Sequence, residues 1–282
     1  MYKLIATNQY GDAIELTHNS AYDVVDVQGF DPPDATINTD HNAGQDGTVY
    51  KSSYANSRQI TITLSVNGPA EVNRVALYKY FKSKFWIRLR YVTASRDLYA
   101  DGYVQSIQVS YFDQKETVQI VVQCPGAYLK SSGENLQDFS MINPLFEFPF
   151  AIDDVGIPFS EIVLDLQKSL INNGDVETGA LFTLRATGTV ETPKIYNVDT
   201  GEHMFFNLTM VDGDQLFVNT RQNEKRITLR RGGVDTNAIG YLATGSSWFV
   251  LEPGDNLFTY TADAGPENLI VTVNIVDLYG GV

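Results

Sequence analysis

The chain has 282 residues, of which 43% are hydrophobic, and a formal net charge of −14 at pH 7. This hydrophobic fraction excludes wholesale disorder, and the length suits two domains of about 140 residues each. The acidic balance argues against sequence-specific nucleic-acid binding, because carboxylates repel phosphates. No apolar run approaches the roughly 18 residues of a membrane-spanning helix, and we expect no secretory signal.

The charge changes near residue 130. Residues 1–130 contain 12 Lys/Arg and 13 Asp/Glu, whereas residues 131–282 contain 8 and 21. At this point Pro125 and Gly126 end a strand pattern and a polar run follows. We therefore predict a first domain over residues 1–130, a linker over 131–141 and a second domain over 142–282. Different surfaces imply different partners for the two domains.

Strand patterns dominate the first domain. Residues 60–66 alternate strictly between apolar and polar side chains, and residues 85–91 do the same. Two further strands, over residues 104–109 and 117–123, are predicted to form a hairpin. These patterns favour a β framework with several antiparallel pairs.

One segment of the first domain has a helical period instead. Residues 70–81 place several apolar side chains on one helical stripe: Val72, Val75, Ala76 and Tyr80, with Phe81 at its edge. Asn67 is a candidate cap, and Pro69 suits the first turn. We predict one helix lying across the β framework.

The stretch from Thr39 to Ser57 is long, polar and poor in aliphatic residues. Such a connection in a compact domain is either functional or mobile. One interpretation is a flexible surface loop. The other is an extended arm or hairpin that reaches a neighbouring subunit, a use that suits tyrosines because they bury a large area with little loss of entropy. The candidate contact residues are His41, Asn42, Gln45, Tyr50 and Tyr54.

The second domain has turn sequences at short intervals, at residues 172–175, 199–202, 212–214 and 231–233. Strand patterns of about five to eight residues lie between them. They cover residues 180–186, 204–208, 215–219, 226–230, 247–251, 257–260 and 269–275. Evenly spaced short strands without a helical period predict an antiparallel β-sandwich.

The residues that carry chemistry do not form a recognisable catalytic or metal site. The three histidines, His18, His41 and His203, lie far apart, and no phosphate-binding or nucleophile motif is present. Asp153, Asp154, Asp212 and Asp214 invite a Ca²⁺ interpretation, but residues 212–214 lack the spaced ligands of a calcium loop and favour a turn. The single cysteine, Cys124, is expected to be a buried inert thiol, and indicates synthesis in a reducing compartment. We expect no cofactor and no enzymatic activity.

Taken together, the patterns resemble the distal tail protein (Dit) family of long-tailed, non-contractile bacteriophages. The first half carries residues 29–33, Tyr50, residues 58–64, Arg74, Leu77, residues 102–104 and Cys124-Pro125 in the usual order. The second half carries residues 172–179, 195–197, 213–214 and 248–256. No single motif is diagnostic, but their order and spacing extend over nearly the whole chain.

The resemblance implies a structural role. It implies a tail-tube-like β-barrel or split barrel with one helix, followed by a galectin-like antiparallel β-sandwich. Six copies would close into a ring at the distal end of the tail, in the virion's tail tip or baseplate. The ring would join the major tail tube protein to the hub protein (tail fibre or lysin), and the outer domain would hold or touch a receptor-binding protein.

A second hypothesis is that the galectin-like half binds host-wall sugars. Sugar sites need an exposed aromatic ring beside polar groups, and Trp248 is the candidate residue. However, residues 247–251 have the pattern of a core strand, which favours burial of this ring. A third hypothesis, an enzyme that degrades the host surface, lacks a supporting constellation of residues.

Overall fold

The structure is a computed structural model and describes residues 2–111, 115–133, 135–139, 142–144, 160–162 and 167–282. The chain divides into two compact units. The first unit comprises residues 1–133 and 278–282, and the second comprises residues 134–277. The sequence-based division instead assigned the last five residues to the second domain. Which sheet such a short segment joins is decided by tertiary pairing and not by its own pattern.

The first unit is mainly antiparallel β-sheet with one α-helix. Its elements in chain order are β1 (Lys3–Asn8), β2 (Ala13–Glu15), β3 (Tyr22–Gln28), β4 (Ala35–Asp40), β5 (Val49–Ala55), β6 (Arg58–Val66), α1 (Ala70–Tyr80), β7 (Trp86–Val92), β8 (Asp97–Ser110), β9 (Thr117–Cys124) and β10 (Leu129–Ser131). The main sheet has the order β2-β1-β7-β8-β9-β6-β3. Over the described residues it is open between β2 and β3, which agrees with a split barrel and not with a closed one.

The core of this unit follows from strand alternation. In β6 the predicted inward face is confirmed, because Ile60, Ile62 and Leu64 have no exposed surface. The predicted hairpin is also confirmed, since β8 and β9 pair antiparallel with a register shift between Val104 and Ser106.

Helix α1 forms where the sequence predicts it, and the residues of the predicted stripe differ in their exposure. Leu77 and Phe81 are buried in the core, whereas Val72 and Val75 are 64% and 54% exposed. Periodicity locates a stripe but cannot say whether it meets the core or solvent. The predicted cap is wrong: no side-chain oxygen accepts a hydrogen bond from the first turn, which begins after Pro69, and the Asn67 side-chain amide donates to the Ser20 carbonyl.

The second unit is built from short antiparallel strands. They are β11 (Asn135–Asp138), β12 (Ile142–Pro144), β13 (Ser160–Ile162), β14 (Lys168–Asn172), β15 (Ala180–Ala186), β16 (Val190–Glu191), β17 (Lys194–Asn197), β18 (His203–Phe205), β19 (Thr209–Met210), β20 (Gln215–Asn219), β21 (Arg226–Arg231), β22 (Val234–Asn237), β23 (Gly254–Thr261) and β24 (Leu269–Ile275). Short 3₁₀ helices lie at Ile239–Tyr241 and Pro266–Asn268.

Two sheets of this unit have the orders β11-β24-β15-β20-β21-β22 and β14-β23-β17-β18. Phe182, Phe249 and Phe258 form the centre of one apolar core, with ring centroids 5.2–5.8 Å apart. The predicted β-sandwich is confirmed. Residues 247–250 are not a regular strand, however. Their apolar pattern arises because Phe249 and Leu251 are buried, while only Leu251 makes a bridge, to Thr178.

The end of the chain returns to the first unit. Strand β25 (Leu278–Tyr279) pairs antiparallel with β10. Arg58 donates to the Gly280 carbonyl at 2.7 Å and Arg96 donates to the Gly281 carbonyl at 2.5 Å. The last residues are thus held by backbone and side-chain bonds to the first unit.

Candidate assembly surface

The predicted polar stretch of the first unit forms a β-hairpin. Strands β4 and β5 pair antiparallel with each other, from Ala35 opposite Ala55 to Asp40 opposite Val49. Neither strand belongs to the main sheet. We call this hairpin, residues 35–55, the arm. Of the two interpretations of this stretch, the extended hairpin is therefore the one that describes its structure. The hairpin begins at Ala35, four residues before the predicted start at Thr39.

The arm is held together by its own polar groups. The Asn38 side-chain amide donates to Ser52 Oγ at 3.0 Å, and Lys51 Nζ lies 2.5 Å from Asp40 Oδ2. This bond from Lys51 holds the pKa of the Asp40 carboxyl below its usual value, with a further contribution from the His41 N–H. These bonds set the register of the arm but cover little apolar surface.

Large apolar side chains of the arm are exposed. Ile37, Val49, Tyr50 and Tyr54 each expose 51–61% of their surface. A two-stranded hairpin alone in water is marginally stable. The combination of regular pairing and exposed aromatic rings is typical of an element that packs against a partner.

A register shift between Asn38 and Thr39 distributes these side chains over both faces of the arm. Lys51 is the extra residue. Because of it, Tyr50 pairs with Thr39 and shares a face with Ile37, whereas Tyr54 pairs with Thr36 and shares a face with Val49. Spacing alone would put the two tyrosines on one face. The structure therefore separates these two predicted contact residues.

The other three predicted contact residues lie in the exposed tip of the arm, over residues 41–48. The His41 ring lies with Nδ1 2.9 Å from the Gly47 carbonyl oxygen, which can only accept a hydrogen bond. The Gln45 N–H donates to the Asn42 carbonyl at 3.2 Å. Ile37 and Val49 were not among the predicted contact residues, although isolated aliphatic residues in a polar strand pattern could have indicated them.

The arm is anchored at its root by Arg58. This side chain is 4% exposed and donates to four backbone carbonyls, those of Gly29, Asp31, Ala127 and Gly280, at 2.5–3.1 Å. Burial lowers the pKa of its guanidinium. Gly29 has φ +94°, and a Cβ there would lie 2.1 Å from the Gln59 carbonyl oxygen. The segment entering the arm is therefore fixed by close packing.

In the second unit, the candidate sugar-binding residue Trp248 is half-buried and packs against the core. Lys225 Nζ lies 5.7 Å from the centroid of its ring. Binding of sugar here stays a prediction, which a glycan array with Trp248→Ala as the comparison would test.

The structure also bears on metal and membrane binding. Among the described residues, no group of His, Cys, Asp and Glu is arranged to hold a metal ion. Asp212 and Gly213 form a turn, and Asp214 pairs with Arg231 at 2.6 Å. Asp153 and Asp154 lie outside the described residues. In the part of the chain that the structure covers, no helix is long and apolar enough to span a bilayer.

Comparisons with known proteins agree with this geometry. Residues 173–274 match the family described as "Siphovirus-type tail component, C-terminal domain". The fold is similar to that of the Dit protein of phage SPP1, described as a paradigm of the hub adsorption apparatus in phages that infect Gram-positive bacteria. That match has a TM-score of 0.69 and 13% identity, and it covers 99% of each chain.

The fold is also similar to chains of the phage P2 baseplate in its activated conformation. With Ca the TM-score is 0.58 at 13% identity, and with Sr it is 0.56 at 14% identity, each covering 100% of both chains. No curated protein sequence matches. The resemblance inferred from the sequence is confirmed over residues 173–274 by the matching tail-component domain, and the fold of the whole chain is similar to that of a Dit protein.

Proposed function

We propose that this chain, a structural phage tail component by its siphovirus-type tail domain, forms a homohexameric ring at the distal end of a long non-contractile tail. The ring would connect the major tail tube protein to the hub protein and, through the second unit, to a receptor-binding protein. Its role is geometric and not catalytic. Synthesis in the host cytoplasm suits a chain with one cysteine.

The observation that carries the proposal is the arm. It is a well-paired hairpin with four large apolar side chains more than half exposed. An element of this kind buries its apolar surface only when another chain covers it. A neighbouring copy supplies that cover in every subunit of a closed ring.

The charge distribution supports the same arrangement. Residues 1–130, which contain the arm, hold 12 basic and 13 acidic residues, so like copies can approach without strong repulsion. Residues 131–282 hold 8 and 21. Repulsion of this size is tolerable only where copies stand apart and solvent screens them. We therefore assign ring contacts to the first unit.

The test removes apolar surface from the arm without changing its pairing. Ile37→Ser with Tyr50→Ser should abolish six-fold rings, as measured by light scattering and negative-stain imaging with the tail tube protein present. Val234→Ser is the matched control, because Val234 is an equally exposed aliphatic residue in the second unit. It should leave the rings intact.

A complementary test reverses the charge of acidic side chains in the second unit. Glu252→Lys with Asp255→Lys should leave ring formation unchanged. The proposal would be wrong if this variant lost rings as readily as the arm variant, or if the unaltered chain formed no rings with the tube protein as template.

A further inference from the structure

Helix α1 carries an apolar stripe that faces away from the core of its own unit. Val72, Val75 and Ala76 follow the spacing i, i+3, i+4, and all three are exposed. Lys79 continues the row at i+7 and is exposed as well. The opposite side of the helix already contacts the core through Leu77. A helix on a protein surface normally presents polar residues to solvent at these positions.

The dimensions of the stripe match those of the arm. Eleven helical residues extend over about 16 Å at 1.5 Å per residue. Strands of six and seven residues extend over about 20 Å. One face of the arm, which carries Ile37 and Tyr50, is thus long enough to cover the whole stripe.

The charges of the two elements are opposite. Residues 34–55 contain Asp34, Asp40 and Asp46 against one basic residue, Lys51. Residues 70–84 contain four basic residues against one acid, Glu71. Arg74 and Lys79 pair with Glu116 and Asp12 of the same unit, and the other two are Lys82 and Lys84. Lys82 and Lys84 are exposed just beyond the end of the helix, and Asp46 is exposed in the arm tip. Such complementarity favours one mutual orientation.

A ring built head-to-tail requires two different surfaces on every copy, because one surface contacts the preceding copy and the other contacts the next copy. We propose that the arm of one copy docks on the α1 stripe of the next copy. Ile37 and Tyr50 would pack on Val72 and Val75, and the acidic tip would lie beside Lys82 and Lys84. This inference rests on the proposed ring and names the surface that receives the arm.

The first experiment mixes two variants that each lack one surface. Val75→Asp destroys the stripe, and Tyr50→Asp destroys the arm face. Both positions are exposed, so circular dichroism and the thermal unfolding midpoint should stay unchanged. Each variant alone should be monomeric with the tube protein present. Their mixture should contain dimers and no rings, because only one intact arm and one intact stripe remain per pair.

The outcomes separate this inference from the proposed function. If Val75→Asp still forms rings while the arm variant does not, the ring stands and the docking on α1 is wrong. If both variants lose rings but their mixture stays monomeric, the stripe binds something other than the arm, and the inference fails as well. Val234→Asp in the second unit is the control and should keep the rings.

A charge-reversal experiment tests how the arm is oriented on helix α1. Lys82→Glu with Lys84→Glu should shift ring formation to higher protein concentration. Asp46→Lys in the same chain should shift it back, since a new ion pair replaces the lost one. Failure of Asp46→Lys to restore assembly, or a further shift in the same direction, would overturn the placement of the tip beside these lysines.

Discussion

The two units differ in where they place their apolar residues. The second unit buries its largest rings, Phe182, Phe249 and Phe258, in one core with edge-to-face and tilted contacts. The first unit also has a complete core, but it exposes an apolar hairpin face and an apolar helix stripe. The charge is distributed the other way: residues 1–130 are close to neutral, and the acidic excess lies in residues 131–282.

The two units therefore suit different roles, association of copies in the first and hydration in the second. Exposed apolar surface drives association of like copies only where their charge is close to balanced. A strongly acidic unit repels its copies and stays hydrated. A contact surface is therefore expected where low net charge and unpartnered apolar groups coincide, which in this chain is the first unit.

The largest stability effect should come from Arg58→Met. This change removes the buried guanidinium and leaves four partly buried carbonyls without their donor, and we expect the first unit to lose about 3 kcal/mol. Urea unfolding of a Trp248→Phe background would measure it, because Trp86 then reports on the first unit alone. The second unit should be unaffected.

The control for Arg58 is Arg230→Met in the second unit, whose exposed side chain pairs with Asp235 at 2.6 Å. An exposed pair of this kind contributes little to stability, because solvent screens the two charges. In a Trp86→Phe background, Trp248 would report this smaller loss. Equal losses for the two variants would contradict the anchoring role of Arg58.

A smaller effect is expected from pH in the second unit. Asp214 is 2% exposed and accepts hydrogen bonds from Arg231 and from the Val211 N–H, and these hold its pKa below the ordinary 3.8. A lowered pKa contributes stability above about pH 4, which is lost as pH falls through the folded-state value. Asp214→Asn should flatten the fall of the Trp248 unfolding midpoint between about pH 5 and 3. Asp212→Asn, in the same turn but exposed, should leave the fall as steep as before.

The smallest effect is expected at Cys124. Burial raises the pKa of its thiol to about 12, and its side chain is 1% exposed. The thiol therefore stays protonated at pH 8, where a disulfide reagent should fail to label the native chain and should label it fully in denaturant. Rapid labelling without denaturant would show that the first unit opens locally.

Much of the fold could be predicted because strand alternation is local. The bounds of β15, β20 and β24 agree with the predicted strands, and the buried face of β6 was predicted residue by residue. Residues 247–251 were wrongly predicted to form a strand, because the burial of Phe249 and Leu251 gives the same alternating pattern as a strand. The pattern reports which residues are buried and not which backbone bonds they make.

For the arm too, the local pattern predicted one part of the structure and contacts across the chain decided the rest. Its composition indicated an extended contact element, but the register shift at Asn38 and Thr39, which turns Tyr50 and Tyr54 to opposite faces, depends on cross-strand pairing. The direction of the α1 stripe and the clamp at Arg58 depend on distant partners in the same way.

The local sequence pattern predicted the β-rich class, the two charge regimes, helix α1 and the resemblance to a tail-component family, because each depends on period, composition or motif order. Two further features became visible only in the folded chain: the apolar stripe of α1 faces outward, and the last five residues belong to the first unit. In both cases the local sequence pattern is compatible with either arrangement. The free energy that selects one arrangement comes from contacts between residues far apart in the chain.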